Sequence, residues 1–267
     1  MSFEFLAPYK IRVDIKVIIN LGFLGLFLLA SCQTPGNRRE QADLYLRLGI
    51  SHIEKGQFPQ ALKNLLESER LNPRNPVLHN AMGLTYFYRD RSDLAEESFL
   101  KALEINPNET ESRNNYARML IHQKRFQKAH EQLKVATADL TYAFPNKSYF
   151  NLGFLYFESG KYEQAIVALE KALDFKSDDC TTATYYGRTF FELKRYASAT
   201  AALDRAVELC QPLMIDEPHY YQALALYRMG DVKKAADKLK ETYSLFPEGK
   251  FHKKARAMFE VLKKANQ

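Results

Sequence analysis

Three cysteines and six histidines are the residues of this chain best suited to covalent or metal chemistry. The histidines are scattered, and the sequence contains no His-Glu-x-x-His pattern, no glycine-rich phosphate loop and no paired cysteine motif. The usual signatures of metal, nucleotide and redox sites are therefore missing from the sequence. We expect no catalytic residue, no bound metal, no cofactor and no small-molecule substrate, and we interpret the chain as a non-enzyme.

Cys32 ends an N-terminal segment whose composition differs from the rest of the chain. A basic stretch at residues 10–16 precedes an apolar run at residues 17–30. That run suits a signal peptide, whereas a stable membrane span needs about twenty apolar residues. The sequence Leu-Ala-Ser-Cys at residues 29–32 then resembles the lipobox of bacterial lipoproteins.

The lipobox resemblance implies that Cys32 is acylated and becomes the first residue of the mature protein. Residues 1–31 would then be a lipoprotein signal peptide, and residues 32–40 a short linker. Gln33 stands where an aspartate favours inner-membrane retention in enteric bacteria, so the resemblance implies a lipid anchor in the outer membrane, facing the periplasm. Several acyl chains suffice for stable anchoring. An uncleaved anchor and an ordinary secretory signal peptide remain the alternatives.

The mature chain is organised by an internal repeat. Alanines recur at steps of 34 or 36 residues, and twelve residues before each alanine stands another small residue. Small side chains at both places let two antiparallel helices approach closely. The alanines are Ala61, Ala95, Ala129, Ala165, Ala199 and Ala235, and the second set is Gly49, Gly83, Ala117, Gly153, Gly187 and Ala223. The pattern predicts six units of helix, turn and helix.

Six copies in phase resemble the tetratricopeptide repeat family. Since one such unit cannot bury its apolar face alone, the resemblance implies a stacked right-handed superhelix with a concave inner surface. We expect an all-α fold with six tetratricopeptide repeats at residues 41–248 and a C-terminal capping helix within residues 249–267. Extra residues at 138–146 and 211–218 lengthen two loops, which suits contact sites.

Cys180 and Cys210 are the cysteines that remain once Cys32 is acylated. An even pair in an oxidising compartment favours a disulfide. Cys180 opens the first helix of the fifth repeat and Cys210 ends the second, so antiparallel packing brings the two together. Two partly buried free thiols are the alternative, and a Cα separation within about 7 Å decides between them.

The concave surface is where we expect a protein partner to bind, as a helix or an extended peptide. Repeat phase predicts that aromatic side chains, with a few amides and arginines, face this groove, a composition typical of interface hot spots. The predicted partner-binding residues are Asn80, Leu84, Phe87, Tyr88, Asn114, Arg118, His122, Phe150, Phe154, Arg188 and Tyr220. We expect Asn114 and Arg118 in particular to face the partner, because polar side chains gain nothing from core burial. The alternative for each phenylalanine is a place in the core between repeats.

A stretch in the middle of the chain carries a narrower resemblance. It comprises Asn114-Asn115-Tyr116, the turn Gln123-Lys124-Arg125-Phe126, Ala129, the lengthened loop with Leu140-Thr141-Tyr142 and Pro145, and Asn151-Leu152-Gly153. With the lipobox and the repeats, this stretch resembles the pilotin lipoproteins of type IV pilus systems, the PilF, PilW and Tgl family. The resemblance implies a protein that binds secretin subunits in the periplasm and promotes their insertion and oligomerisation in the outer membrane. Anchoring by lipid would raise the local secretin concentration at the membrane.

Two other classes of function stay open. A general periplasmic scaffold for another envelope assembly complex would share the lipobox and repeats without the middle stretch. An enzyme with an unrecognised site would show a deep polar pocket with perturbed titratable groups. The chain has a net charge of +6, with much of the excess after Pro247. Because an exported protein rarely meets nucleic acid, we interpret that basic tail as a solvated helix face, not a nucleic-acid site.

Overall fold

The computed structural model describes residues 35–265, whose regular structure is entirely helical. The helices are α1 (Pro35–Glu54), α2 (Phe58–Leu71), α3 (Pro76–Phe87), α4 (Ser92–Ile105), α5 (Thr110–His122), α6 (Phe126–Ala138), α7 (Pro145–Glu158), α8 (Tyr162–Phe175), α9 (Cys180–Glu192), α10 (Tyr196–Cys210), α11 (Glu217–Arg228), α12 (Val232–Leu245) and α13 (His252–Ala265), with a short 3-10 helix at Gln211–Leu213. None of the helices in this part of the chain is long and apolar enough to cross a membrane. The predicted signal peptide and the predicted lipidation site, Cys32, lie outside the described residues.

Six antiparallel helix pairs account for α1 to α12, and α13 packs on the last pair. The predicted all-α fold of six repeats and a capping helix is therefore confirmed. One boundary differs, because α1 begins at Pro35 and part of the segment predicted as a linker is helical. Residues 37–40 are exposed, so the first turns of α1 leave no apolar periodicity that a sequence pattern detects.

The turn inside each repeat contains one residue in the left-handed region of backbone conformation. These residues are Gly56, Asp90, Lys124, Gly160, Lys194 and Gly230, with φ between 57° and 86°. A left-handed residue ends the first helix and reverses the chain within a few residues. Turn geometry therefore repeats in the same phase as the alanines.

The small residues of the repeat lie where the two helices of one pair touch. A Cβ atom added to Gly153 would stand 2.6 Å from Cγ of Leu169. The same addition to Gly83 would stand 2.6 Å from a ring carbon of Phe99. A large side chain of the second helix thus occupies the space that glycine leaves free.

We expect Gly83→Ala to lower the free energy of unfolding by about 1–3 kcal/mol, because the packed Phe99 ring cannot move aside without strain. The third repeat accommodates the corresponding Ala117 beside Leu133 in one buried cluster. Changing Phe99 to leucine in the same chain should therefore offset part of the loss. Urea unfolding of both single variants and the double variant measures this coupling, and simply additive losses would contradict the packing explanation.

Cys180 and Cys210 form a disulfide between the start of α9 and the end of α10. Their Sγ atoms lie 2.07 Å apart and their Cα atoms 5.0 Å apart, within the range that a disulfide requires. Both side chains are buried. The bond closes the fifth repeat at the end opposite its internal turn.

The loop between α10 and α11 holds the C-terminal helix in place. Its buried Asp216 accepts a hydrogen bond from the backbone N–H of Phe251, directly before α13, at an N···Oδ2 distance of 2.6 Å. Ala255 of α13 is buried in one cluster with Leu239 of α12. This lengthened loop therefore makes an internal contact that fixes the end of the helical stack.

Candidate partner-binding groove

The first helices of successive repeats lie side by side and form the inner surface of the stack. Contacts join α1 to α3, α3 to α5, α5 to α7, α7 to α9 and α9 to α11, while each second helix contacts the first helix of the next repeat. Close spacing of the first helices curves the stack and lines its concave side with their side chains. The candidate site lies on α3, α5 and α7, in the middle of this groove.

Six side chains from three successive repeats meet in the groove, and we call them the central patch: Leu84, Phe87, Tyr88, Arg118, His122 and Phe154. The His122 ring lies between two phenylalanines, with centroid distances of 5.5 Å to Phe87 and 6.1 Å to Phe154. Phe87 also contacts Tyr88 at 5.8 Å. Tyr88 and His122 are exposed and the other four are half-buried. All six belong to the residues predicted to face a partner, and the structure brings them together.

Arg118 supplies the positive charge of the central patch. Its Nη2 atom donates a hydrogen bond to Oη of Tyr88 at 3.1 Å, and its Cζ atom lies 6.0 Å from the centre of that ring. Among residues 35–265, no carboxylate oxygen lies within 4.0 Å of its guanidinium. Arg118 therefore presents a cation whose internal partners are neutral.

Arg188, which was predicted to face the partner, is enclosed instead. Its Cζ atom lies 4.6–4.8 Å from the ring centres of Phe157, Tyr185 and Tyr221. Its Nη1 atom lies 2.7 Å from Oε1 of Glu217, and its side chain is 14% exposed. Three ring faces and a carboxylate surround this guanidinium, although its buried Nε–H has no hydrogen-bond partner among residues 35–265. Arg188 thus joins the fourth, fifth and sixth repeats.

Tyr185 and Tyr221 are groove residues that the sequence analysis missed. Each stands two residues before the small residue of its repeat, and none of the residues predicted to face the groove stands at that position. Their rings hold Arg188 between them. Tyrosine at this position in two successive repeats was the signal available in the sequence.

Asn80 and Asn114 are buried, at 7% and 1% exposure. Both were predicted to face the groove, and neither does. Asn115 donates a hydrogen bond to Oδ1 of Asn80 at 3.1 Å. Asn114 donates to Oγ of Ser148 at 2.9 Å and accepts from Nδ2 of Asn151 at 3.3 Å. The prediction was wrong because polar groups from three consecutive first helices satisfy one another, which removes the cost of burying them.

Phe150 and Tyr220 take part in aromatic contacts that join the repeats. Phe150 stacks on Phe154 at 6.1 Å and meets the edge of Tyr185 at 5.9 Å. Tyr220 stacks on Phe251 at 4.7 Å. Both side chains are half-buried, so each combines a contact between repeats with a surface on the groove.

A charged network joins α4 to the third repeat. Arg125 donates to both carboxylate oxygens of Glu96 at 2.6 Å, and Oη of Tyr116 donates to Glu96 at 2.6 Å. Hydrogen bonds from Arg125 lower the pKa of Glu96 to about 2. Burial, together with the Glu96 carboxylate, raises the pKa of Tyr116 to about 12. The bidentate pair fixes the turn of the third repeat against α4.

Because of this charged network, we expect the free energy of unfolding to fall at acid pH. In the folded protein the pKa of Glu96 lies below its usual value of 4.5. The ionised carboxylate therefore adds to the free energy of unfolding at pH values above 4.5, and this contribution is lost as the pH falls toward 2. We expect Glu96→Gln to cost about 2 kcal/mol at neutral pH and close to nothing near the folded pKa. Urea unfolding from neutral pH down to the folded pKa of Glu96 measures the stability difference between Glu96→Gln and the unaltered protein. Glu97→Gln on the exposed face of α4 is the control. If the stability difference between the unaltered protein and Glu96→Gln does not change with pH, the lowered pKa of Glu96 is contradicted.

The lengthened loop between α6 and α7 is tied to the first helix of the third repeat. Tyr142 donates a hydrogen bond to Glu111, and Nζ of Lys147 lies 3.1 Å from Oε1 of the same carboxylate. Burial and the hydrogen bond to Glu111 raise the pKa of Tyr142, which keeps its hydroxyl protonated as a donor. Leu140 is 96% exposed and Phe144 is 53% exposed, so this tied loop presents two large apolar side chains to solvent.

Four stretches of the chain match the tetratricopeptide repeat family, at residues 46–109, 98–131, 147–179 and 219–249. Together these stretches cover more than half of the chain. The chain is a tetratricopeptide repeat protein.

This tetratricopeptide repeat protein is similar to type IV pilus assembly protein PilF of Pseudomonas aeruginosa. The two are 26% identical over 193 residues, which cover 69% of this chain and 77% of PilF. A solved structure of P. aeruginosa PilF covers 83% of this chain and 99% of its own, with a TM-score of 0.70 at 22% identity. PilW, a widely conserved type IV pilus biogenesis factor, covers 80% and 97%, with a TM-score of 0.74 at 19% identity. The structural likenesses show the shared fold.

The chemistry available in the tetratricopeptide groove is that of a binding surface. Among residues 35–265, no group of three or more histidine, cysteine or acidic side chains is placed to hold a metal ion. The central patch offers aromatic faces, one aliphatic side chain and one cation. Such a mixture suits recognition of a protein segment.

Proposed function

We propose that this protein is a lipid-anchored pilotin that binds secretin subunits through the central patch. It promotes their insertion and oligomerisation in the outer membrane during type IV pilus biogenesis. Similarity to PilF over 69% of the chain supports the role in type IV pilus biogenesis. The observation that supports binding in the groove is the central patch itself, which exposes Tyr88 at 46% and His122 beside half-buried apolar residues.

The size and chemistry of the central patch suit a partner segment that inserts between the first helices. Aromatic side chains and arginine dominate the energy of protein interfaces, and truncation of one such hot spot costs about 2 kcal/mol or more. Three successive repeats contribute to the patch, so a bound helix or extended segment would contact α3, α5 and α7 together. Binding there would hold one secretin segment in a fixed orientation.

The lipid anchor is the second part of the proposal. Cys32 lies three residues before the start of α1 at Pro35. Three extended residues span at most about 11 Å, so acylated Cys32 would keep the first repeat close to the membrane surface. Confinement of this kind raises the effective concentration of secretin subunits where they insert.

The content of heat-stable secretin multimers in outer membranes tests the proposed function. Cells with the intact protein, cells without it, and cells with Cys32→Ala are compared. We expect multimers to disappear in the deletion strain, and to be lost or mislocalised in the Cys32→Ala strain. Unchanged secretin assembly in the deletion strain would overturn the proposal in favour of a scaffold for another envelope complex.

A further inference from the structure

Two arginines occupy the same position of the repeat but have different surroundings. Arg118 and Arg188 each directly follow the small residue of their first helix, Ala117 and Gly187. The Nη1 atom of Arg188 lies 2.7 Å from a carboxylate oxygen of Glu217. Among residues 35–265, the one hydrogen-bond partner of the Arg118 guanidinium is the hydroxyl of Tyr88. The arginine of the fifth repeat therefore pairs with an anion from the sixth repeat, whereas Arg118 of the third repeat pairs with no carboxylate in the described part of the chain.

The surroundings of Arg118 favour an anionic ligand. Arg118 is half-buried, and its guanidinium donates to the neutral hydroxyl of Tyr88, whose ring contacts Phe87 in the central patch. Arginine carries five N–H donors, so one neutral acceptor leaves most of the hydrogen-bonding capacity of this guanidinium unused within the protein. A carboxylate accepts two parallel N–H hydrogen bonds from arginine, and neighbouring rings that exclude water strengthen the pair.

We propose that Arg118 anchors an acidic side chain of the bound protein segment. The central patch then selects an aspartate or glutamate flanked by apolar residues, with the carboxylate on Arg118 and the apolar side chains over Leu84, Phe87 and Phe154. This inference rests on the proposed function, which assigns protein binding to the central patch. It adds the chemistry by which the segment is recognised.

Paired peptides test the anchor directly. The probes are overlapping fifteen-residue peptides that cover the type IV pilus secretin of the same bacterium. Each is made in its natural form and with every Asp and Glu replaced by the corresponding amide. Fluorescence anisotropy measures their binding to the purified full-length chain in detergent. We expect the natural form of a binding peptide to bind at least about tenfold more tightly than its amide form, as for hydrogen bonds to a charged group.

Variants of the protein separate charge from shape. Arg118→Gln should weaken binding of the natural peptide by the same factor. The natural and amide forms should then bind this variant equally well. Arg118→Lys should retain only part of the affinity, because lysine lacks the planar fork that binds a carboxylate at two points. Arg256→Gln removes an equal charge from the exposed surface of α13 and should leave binding unchanged.

His122→Ala distinguishes failure of the anchor from failure of the groove. Weaker binding in His122→Ala, with unchanged binding in Arg118→Gln, would leave groove binding standing and overturn the acidic anchor. Equal binding of natural and amide peptides to the unaltered protein would overturn the anchor as well. If no peptide binds, or if neither variant alters binding, the groove proposal and the anchor fail together.

Discussion

Removing the Cys180–Cys210 disulfide is expected to lower the free energy of unfolding by about 3–4 kcal/mol. The bond joins residues 30 positions apart, so it restricts the unfolded chain over nearly the whole of α9 and α10. The fifth repeat also holds Arg188, which contacts Phe157 of the fourth repeat and Tyr221 of the sixth. Loss of the bond should therefore weaken the coupling between the fourth and sixth repeats as well as the fifth repeat itself.

Urea unfolding followed by circular dichroism measures this loss. The protein is compared with and without reductant, beside a variant that carries both Cys180→Ala and Cys210→Ala. The reduced protein and the double variant should unfold at similarly low urea concentrations, and reductant should have no effect on the double variant. Equal stability of the oxidised and reduced protein would rule out a stabilising disulfide.

The second large effect is expected for Asn114→Ala, which should lower the free energy of unfolding by about 3 kcal/mol. The side chain of Asn114 is 1% exposed and connects Ser148 and Asn151 of the next repeat to α5. Its removal leaves Oγ of Ser148 without this donor, and leaves Nδ2 of Asn151 with only the backbone carbonyl of residue 114 at 3.4 Å. An unsatisfied buried polar group costs about 1–3 kcal/mol, and the cavity left by the side chain adds to that loss. The same contacts fix α5 against α7, which carry Arg118, His122 and Phe154 of the central patch.

Thermal and urea unfolding of Asn114→Ala provides the measurement, with Asn108→Ala as the matched control. Asn108 lies on the surface just before α5, so its side chain should contribute little. Asn114→Ala should also bind secretin peptides more weakly than the unaltered protein at a temperature where both are folded. A loss of stability no larger than that of Asn108→Ala would show that the buried amides do not hold the repeats together.

The repeat architecture was predictable because helix contact within one repeat depends on few residues. Gly83 and Gly153 stand where only a small side chain fits, and this demand recurs at a fixed spacing that the sequence displays directly. The start of α1 was not predictable in the same way. Its first turns, at residues 37–40, are exposed, and exposed turns place no constraint on residue type that a pattern could reveal.

The face on which the central-patch residues lie was easier to predict than the burial of the polar side chains near them. Repeat phase fixes which face of a first helix a residue occupies, so the sequence assigns Phe87, His122 and Phe154 to one face, and the structure brings their rings together. Phase does not specify what a side chain meets there. Asn114 is satisfied by residues 34 and 37 positions away, and Arg188 pairs with a carboxylate 29 positions away. Such contacts depend on how successive repeats stack, which only the folded structure displays.

The most direct test of the central claim is secretin multimer content in cells that express a groove variant at normal protein level. The test variant carries Tyr88→Ala and His122→Ala, and the control is Phe175→Ala. Tyr88 is 46% exposed in the groove, whereas Phe175 is 56% exposed at the end of α8, a second helix. We predict that heat-stable multimers are lost with the groove variant and retained with Phe175→Ala. Normal multimers with the groove variant would contradict secretin binding through the central patch.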